Sequence, residues 1–203
     1  MPRTPEQNQS IKDRRRGKLL TYALKAFALN GYDRTAVDDI TKPAKCSHGL
    51  FYHYFDSKEA VFKALIDEVL TQEGRTPVKE ALELGGVKGL RLFADYAEGV
   101  ATASAKEVAI SRVTLNIGKA NNLDPYGRAF QKEYDVERAL ATLIKQGQEE
   151  GKVISGDPKV IATALMDLAQ GALNRLTGKP GAGLISADIF FGFVLKGPIE
   201  EYK

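Results

Sequence analysis

Apolar side chains recur at intervals of three or four residues through most of this 203-residue sequence, which is the spacing of one face of an α-helix. In the segment 57–72, for example, Phe62, Leu65, Ile66 and Val69 follow this spacing. No run of alternating β-branched residues between turn signals is long enough to predict a strand. We therefore predict an all-α protein of about nine to ten helices.

Clear start signals divide the second half of the chain into helices. Asp124-Pro125 and Asp157-Pro158 each place a capping residue before a proline, the arrangement typical of a first helical turn. Glycines stand at plausible helix ends. The helices are predicted near residues 11–30, 36–42, 47–54, 57–72, 78–84, 87–103, 105–119, 125–150, 158–177 and 186–203.

Three short helices are predicted close together near the N-terminus. Thr35 is expected to cap the second one, with Asp38 in the capping-box position, and Pro43 is expected to end it. Ser47 is expected to cap the third helix and Asp56 the fourth. A sharp turn must therefore lie between the second and third helices.

The helix-breaking residues 74–77 mark the predicted boundary between two parts of the chain. Before them we expect a disordered arm over 1–10, a three-helix unit over 11–56 and a connecting helix over 57–74. After them, a larger helical bundle is predicted over 75–203.

Composition excludes several classes of protein. No stretch of about 18 apolar residues could span a bilayer, and the polar N-terminus lacks the apolar centre of a secretory signal. A single cysteine cannot form an intrachain disulfide. We therefore expect a cytoplasmic protein with no membrane partner.

The positive charge of the chain is concentrated at its N-terminal end. The first 60 residues carry 11 Lys and Arg against seven Asp and Glu, whereas the other 143 residues carry 18 against 19. Such a cluster is either a solvated helix face or a surface for an anionic partner. Its members are Lys12, Arg14, Arg15, Arg16 and Lys18.

Residues 47–55 hold the most distinctive group of side chains. They contain both histidines and four of the seventeen Phe and Tyr residues, directly after the only cysteine, Cys46. A short aromatic helix of this kind is either a core helix or one directed at DNA. Helix, tight turn and short second helix over about twenty residues form a helix-turn-helix, whose second helix enters the major groove.

The same stretch does not predict a metal site or a catalytic centre. Structural zinc needs four ligands, and His48 and His53 are about 140° apart around a helix, so they do not converge with Cys46. No further histidine, nucleophile elbow or phosphate-binding loop is present elsewhere. We therefore expect no catalytic residue, no metal and no cofactor, and a protein that is not an enzyme.

Four segments together carry a family resemblance. Residues 31–32 (Gly-Tyr), 35–40 (Thr-Ala-Val-Asp-Asp-Ile), 47–55 (Ser-His-Gly-Leu-Phe-Tyr-His-Tyr-Phe) and 57–60 (Ser-Lys-Glu-Ala) resemble the TetR family of transcriptional regulators. The resemblance implies a helix-turn-helix DNA-binding domain over 11–56 and a ligand-binding and dimerisation domain over 75–203. It also implies a homodimer that represses transcription by occupying double-stranded operator DNA and is released by a small-molecule effector.

Two positions in the predicted turn depart from the family pattern. Pro43 lies where the second helix is usually unbroken, and Lys45 stands where glycine is usual. A lysine in the left-handed region costs about 1 kcal/mol relative to glycine, which a packed domain can tolerate.

The helix-turn-helix arrangement divides the side chains of the third helix between two sides. Phe51, Tyr54 and Phe55 are expected to face the other helices. Leu50 could contact a thymine methyl group, and His48 a base acceptor or a phosphate. The residues expected to contact DNA through side chain or backbone are Thr35, Ala36, Ser47, His48, Gly49, Leu50, Tyr52, His53 and Lys58.

Candidates for the effector and dimer sites come from helical spacing in the second half, where the same residues could equally be plain core. The predicted pocket residues are Tyr96, Val100, Arg112, Val113, Asn116, Ile117, Phe130, Tyr134 and Asp167. The predicted dimer-interface residues are Leu168, Ala172, Ile189 and Phe193.

Three alternatives stay open at this point. One is a DNA-binding regulator controlled by a protein partner, which a cavity-free C-terminal core would favour. Another is a helical-bundle enzyme, which would need Arg112, Glu133 and Asp167 to converge. The third is an adaptor or structural protein without affinity for DNA.

Overall fold

The computed structural model describes residues 4–70, 76–101, 103–176 and 191–197. Within these ranges the chain is helical and contains no β-strand, which confirms the predicted fold class. The helices are α1 (Pro5–Asn30), α2 (Val37–Ala44), α3 (His48–Tyr54), α4 (Lys58–Leu65), α5 (Val78–Leu84), α6 (Gly86–Ala101), α7 (Ala105–Ile117), α8 (Pro125–Glu133), α9 (Val136–Glu149) and α10 (Pro158–Leu176).

Helix α1 begins earlier than predicted. Thr4 accepts a hydrogen bond from the N–H of Gln7, and the Gln7 side chain accepts one from the N–H of Thr4. Pro5 occupies the first helical position, where its fixed φ is favourable. Residues 5–10 are therefore helical, and the prediction that they belong to a disordered arm is wrong.

The start of α2 is shifted by one residue from the prediction. Thr35 is buried, and its hydroxyl donates to the carbonyls of Ala26 and Gly31, so it does not cap the helix. Ala36 is the cap residue, and its N–H donates to the Asp39 carboxylate at 2.9 Å. Asp39 therefore has the role that was predicted for Asp38.

Pro43 does not end α2, in contrast to the prediction. It lies in the last turn, where its missing N–H removes a single backbone hydrogen bond. Lys45 follows in the left-handed region with φ 52° and ψ 48°. The N–H groups of Lys45 and Cys46 donate to the carbonyls of Lys42 and Thr41, which is the Schellman pattern of a helix end.

Other predicted helix boundaries also need correction. Ser57, rather than Asp56, caps α4 by accepting from the N–H of Ala60. Residues 66–70 then continue as a π-helical turn. The helix predicted over 125–150 is two helices, because Asp135 accepts from the N–H of Arg138 and caps α9.

The predicted helix over 186–203 lies largely outside the described residues. In its described part, Leu195 forms an isolated antiparallel bridge with Val153. The N–H of Ile154 donates to the carbonyl of Val194, and the N–H of Lys196 donates to that of Lys152. Residues 194–197 are therefore not helical.

Two main apolar cores organise the described residues. The first joins α1 to α4 with one side of α7 and α8, including Phe27, Phe51 and Phe62 from the N-terminal helices and Ile110 and Val113 from α7. The second lies among α5, α6, α9, α10 and residues 191–195. The N-terminal helices therefore share a core with α7 and do not pack as an isolated unit. No helix in the described ranges has the length and apolar character needed to cross a membrane.

Candidate DNA-binding surface and ligand cavity

Helix α3 is held in place by its cap and by two buried rings. Ser47 accepts from the N–H of Leu50, as predicted. Phe51 is fully buried and Phe55 nearly so, and the guanidinium of Arg16 lies 5.2 Å from the centre of the Phe55 ring. Tyr54 is half-buried against the same core. The predicted inward side of this helix is confirmed.

The opposite side of α3 faces solvent. Ser47, His48, Gly49 and His53 are exposed, Leu50 is half-buried, and half of the Tyr52 surface is accessible. These six residues were all predicted to contact DNA, and the fold brings them to one surface. Their contacts with DNA stay a prediction.

His48 also makes a contact inside the protein. Its Nε2 is hydrogen bonded to the carboxylate of Asp38 on α2, which also pairs with Lys42 at 2.8 Å. The hydrogen bond from Lys42, followed by that with His48, lowers the pKa of Asp38. An acidic group therefore lies beside the first residue of the predicted recognition helix.

Two of the predicted phosphate contacts are occupied by internal hydrogen bonds. The N–H of Thr35 donates to the carbonyl of Tyr32 at 3.3 Å, and the N–H of Ala36 donates to the Asp39 carboxylate at 2.9 Å. The ammonium of Lys58 lies 4.4 Å from the centre of the Tyr32 ring and donates to the carbonyl of Tyr32 at 3.0 Å. The Lys58 side chain thus ties the α1–α2 connector to α4, and only its backbone N–H remains for a phosphate.

The basic cluster of α1 lies beside this surface. Burial raises the pKa of the Cys46 thiol, and the nearby charges of Lys18 and Arg15 oppose that rise. The guanidinium of Arg16, in the middle of the cluster, lies 5.2 Å from the centre of the Phe55 ring at the end of α3, which brings this part of α1 against α3. Arg16 differs from the other members of the predicted cluster because it forms a bidentate ion pair with Glu68, at 2.5 and 2.6 Å. The exposed members are Lys12, Arg14, Arg15 and Lys18.

A polar junction connects the N-terminal helices to the α7–α8 loop. The carboxylate of Asp33 accepts from the N–H groups of Asn121 at 2.8 Å and Asn122 at 3.0 Å. The Asn121 N–H, with help from the Asn122 N–H and the charge of Lys58, lowers the pKa of Asp33. These partners are more than 80 residues apart in sequence, and nothing in the local pattern pointed to their contact.

A second junction lies at the π-helical turn. The Tyr126 hydroxyl of α8 donates to Asp67, whose other oxygen accepts from Lys63 at 2.8 Å. The Lys63 ammonium also lies 4.0 Å from the centre of the Tyr126 ring. The end of α4 is thereby bonded to α8.

A cavity lies among α6, α7, α9 and α10. Its volume is about 70 Å³. Its walls include Phe93, Leu140, Met166 and Leu173. Of the predicted pocket residues, Tyr96 and Val100 line it.

Most of the other predicted pocket residues lie in the first core. Val113, Asn116 and Ile117 border a space of about 10 Å³ next to Phe27, Tyr32 and Phe62. The rings of Phe130 and Tyr134 stack with centres 4.5 Å apart in the same core. The prediction that these five residues line one pocket with Tyr96 is wrong, because α7 turns Val113, Asn116 and Ile117 towards the N-terminal helices, and Phe130 and Tyr134 enter the same core from α8.

Arg112 and Asp167 are also away from the cavity wall. Arg112 is buried, and one of its terminal nitrogens donates to the carbonyl of Leu173 at 2.9 Å and to Asn174 at 2.7 Å. It therefore binds the C-terminal end of α10, where the helix dipole is negative. Asp167 and Glu133 are exposed. Among the described residues, the convergence that a helical-bundle enzyme would need is not seen.

The predicted dimer residues fall into three groups. Leu168 and Phe193 are 37% and 66% exposed, and Val160 two turns before Leu168 is 66% exposed. Ala172 is buried and lines the cavity, so it is not available to a partner. Ile189 lies outside the described residues.

Comparison with known proteins agrees with these features. Residues 19–65 match the family model for bacterial regulatory proteins of the tetR family. The HTH-type transcriptional repressor DhaR of Mycobacterium sp. (strain GP1) is 26% identical over 172 residues, which cover 79% of this chain and 81% of DhaR.

Solved structures share the fold. The ketosteroid transcriptional regulator KstR2 of Mycobacterium tuberculosis aligns with a TM-score of 0.58 and 20% identity, over 90% of this chain and 96% of KstR2. AibR, in complex with isovaleryl coenzyme A and operator DNA, aligns with a TM-score of 0.57 and 18% identity, over 88% of this chain and 95% of AibR.

The matched segment 19–65 spans the helices that build the exposed surface of α3. The resemblance seen in the sequence is thus confirmed by the family model, by the relative and by the fold. Residues 19–65 thus carry the helix-turn-helix segment of the tetR family of bacterial regulatory proteins, and over most of its length the chain is similar to a helix-turn-helix transcriptional repressor.

Proposed function

We propose that this regulator is a homodimeric repressor that leaves its operator when a small molecule occupies the apolar cavity. The observation that carries the proposal is the exposed surface of α3, against which the basic segment of α1 packs through Arg16 and Phe55. DhaR is named as a repressor, and AibR was captured with both a ligand and operator DNA, which supports the same two activities here. Binding to an operator also requires a cytoplasmic location.

In this proposal α3 reads the major groove. Leu50 contacts a thymine methyl group and His48 a base acceptor or a phosphate, while Tyr52 and His53 contact the sugar-phosphate backbone. Backbone N–H groups near Ser47 add further phosphate contacts. The exposed cations of α1 supply the sequence-independent part of the affinity, which falls as salt rises.

Ligand binding would be transmitted through α7. Ser111 and Leu115 of this helix line the cavity, whereas Val113 and Ile117 pack against the N-terminal helices. The hydrogen bonds from Asn121 and Asn122 to Asp33 extend the same connection. A ligand that favours one position of α7 lowers operator affinity by its differential affinity for the two states.

The cavity supports a small-molecule effector over a protein partner as the controlling signal, because a solid core was expected for the latter. For dimerisation we propose the exposed apolar side of α10 with Leu168, together with Phe193. A twofold dimer would bind half-sites about 34–36 Å apart or at a multiple of that distance. We assign residues 11–56 to DNA binding, 57–74 to the connection and 75–203 to effector binding and dimerisation.

The proposal is tested with the full chain and a DNA fragment that carries an inverted repeat from its own promoter. Replacing His48, Leu50 and Tyr52 together with alanine should reduce specific binding at least 100-fold, since each base contact contributes about 1–3 kcal/mol. Fluorescence anisotropy at fixed salt measures the loss. Leu84→Ala, an exposed leucine on α5, serves as the control and should bind normally. Specific binding that survived the triple replacement would contradict the proposal.

A further inference from the structure

The walls of the cavity among α6, α7, α9 and α10 are mostly apolar. Its described lining consists of apolar side chains and three hydroxyl-bearing ones, Thr76, Tyr96 and Ser111, without a charged residue. The cavity volume of about 70 Å³ is roughly half of the ~150 Å³ of an engineered apolar cavity that binds benzene. A single six-membered ring is therefore the upper limit for a ligand, and it enters only if the walls move outward.

The polar groups of the cavity are gathered on one side, between α6 and α7. The hydroxyls of Tyr96 and Ser111 are 2.7 Å apart, and Ser111 also donates to the carbonyl of Glu107 at 3.0 Å. Thr76 lies at 3.5 Å from the Tyr96 oxygen. Hydroxyl groups rotate and can either donate or accept, so this group can receive one neutral polar atom of a ligand.

We propose that the effector is an uncharged apolar molecule, no larger than one six-membered ring, with one hydroxyl or carbonyl group that is oriented by Tyr96 and Ser111. The inference rests on the proposed ligand response and adds the chemical class of the ligand. A charged group buried in this cavity would leave water without meeting an opposite charge on the described walls, which is strongly unfavourable. A wholly apolar molecule would cover the hydroxyl oxygens of Tyr96 and Ser111 without offering them a further hydrogen bond.

Arg112 is the buried charge whose position has to be considered. It follows Ser111 on α7, but its guanidinium is directed to the C-terminal end of α10, where it donates to Leu173 and Asn174. Its Nε has no hydrogen-bond partner among the described residues. A carboxylate ligand that reached this nitrogen would therefore be the main rival, and a carboxylate has to be one of the probes.

Four probes with the same ring test the inference on the full-length protein. They are cyclohexanol, methylcyclohexane, cyclohexanecarboxylate and cyclohexylammonium, the last two being charged at pH 7. Ligand-detected NMR titration should show cyclohexanol binding at least tenfold more tightly than either ion and several-fold more tightly than methylcyclohexane. Tightest binding of the carboxylate, or equal binding of all four probes, would overturn the inference.

Variants locate the binding in the cavity. Tyr96→Phe and Ser111→Ala should each remove most of the preference for cyclohexanol over methylcyclohexane, and Ala172→Leu, which fills the cavity, should reduce the binding of both at least tenfold. Tyr126→Phe changes a tyrosine outside the cavity and should leave probe binding unchanged. Probe binding that is unaffected by Ala172→Leu and Tyr96→Phe would contradict the assignment.

The two proposals fail in different ways. Operator affinity is measured in parallel by anisotropy, with and without saturating cyclohexanol. If the selective binding of cyclohexanol is observed but operator affinity is unchanged, the ligand class stands and the proposed release from DNA is wrong. If operator binding is specific but no probe binds, the ligand class is wrong.

Discussion

Gly49 on α3 and Gly89 on α6 are both helical glycines, but the molecule surrounds them differently. A methyl group added at Gly89 would lie 2.3 Å from the carbonyl oxygen of Ala81 and 2.5 Å from the Leu143 side chain. A methyl group at Gly49 would meet nothing within 4 Å. Gly89 is therefore required by the close packing of α5 on α6, whereas no contact among the residues that the structure describes requires Gly49.

The difference indicates what each region is built to contact. A glycine within a helix costs up to about 1 kcal/mol relative to alanine. At Gly89 that cost is offset by packing within the body of the protein. At Gly49 no contact in the described part of the chain offsets that cost, and we propose that a close approach of the α3 backbone to DNA does. Gly89 therefore serves the packing of α5 on α6, whereas we propose that Gly49 serves contact with DNA.

The largest expected effect is a loss of stability at the contact between α5 and α6. Gly89→Ala should destabilise the protein by about 3 kcal/mol, because the nearest atom is backbone and the α5–α6 contact has to open. Urea unfolding followed by circular dichroism measures the change. Gly99→Ala, at an α6 position with open space around it, is the matched control and should not lower stability. Equal stability of Gly89→Ala and wild type would show that α5 and α6 do not pack as described.

At the proposed DNA-binding surface, we expect a substitution to weaken operator binding without lowering stability. Gly49→Ala should leave the free energy of unfolding unchanged or raise it by up to about 1 kcal/mol. It should lower operator affinity about tenfold, the equivalent of roughly 1.4 kcal/mol, because the added methyl group separates α3 from the DNA. Anisotropy and urea unfolding on the same preparation give both quantities. Undiminished operator affinity would remove the proposed role of Gly49, and Gly99→Ala again provides the reference.

The smallest effect concerns the junction between the two regions. The pKa of Asp33 is lowered in the folded state by the N–H groups of Asn121 and Asn122, so its carboxylate stabilises the fold above the unfolded value near 3.9. This stability is lost as pH falls through the lower, folded pKa. Because the site is partly exposed, we expect at most about 1 kcal/mol.

Asp33→Asn tests this contribution through the melting temperature between pH 2 and 6. Wild type should be more stable than Asp33→Asn at pH 6, and the two should converge towards pH 2. Asp56→Asn, which replaces an exposed carboxylate in the connector between α3 and α4, controls for the change in net charge. A constant difference between wild type and Asp33→Asn over the whole range would show that the charge of Asp33 does not support the junction.

Much of the DNA-binding surface could be predicted from the sequence because its signals are local. Ser47 caps α3 through a hydrogen bond to a residue three positions away, and the inward side of the helix follows from the spacing of Phe51 and Phe55. Where two local signals competed, the predicted helix boundary was wrong by one residue. Thr35 could cap α2 or turn inward, and only the carbonyls of Ala26 and Gly31 decided that it is buried.

By itself, the sequence determined the all-α class, the resemblance of its N-terminal part to the TetR family and the two sides of α3, since helical periodicity and capping depend on residues a few positions apart. The tertiary structure alone decided which helix faces meet. It directed Val113 and Ile117 towards the N-terminal helices and placed Ala172 in the cavity with Tyr96, about 75 residues away in the chain. Such contacts join helices distant in sequence, and each amphipathic helix could bury the same apolar face against several different neighbours.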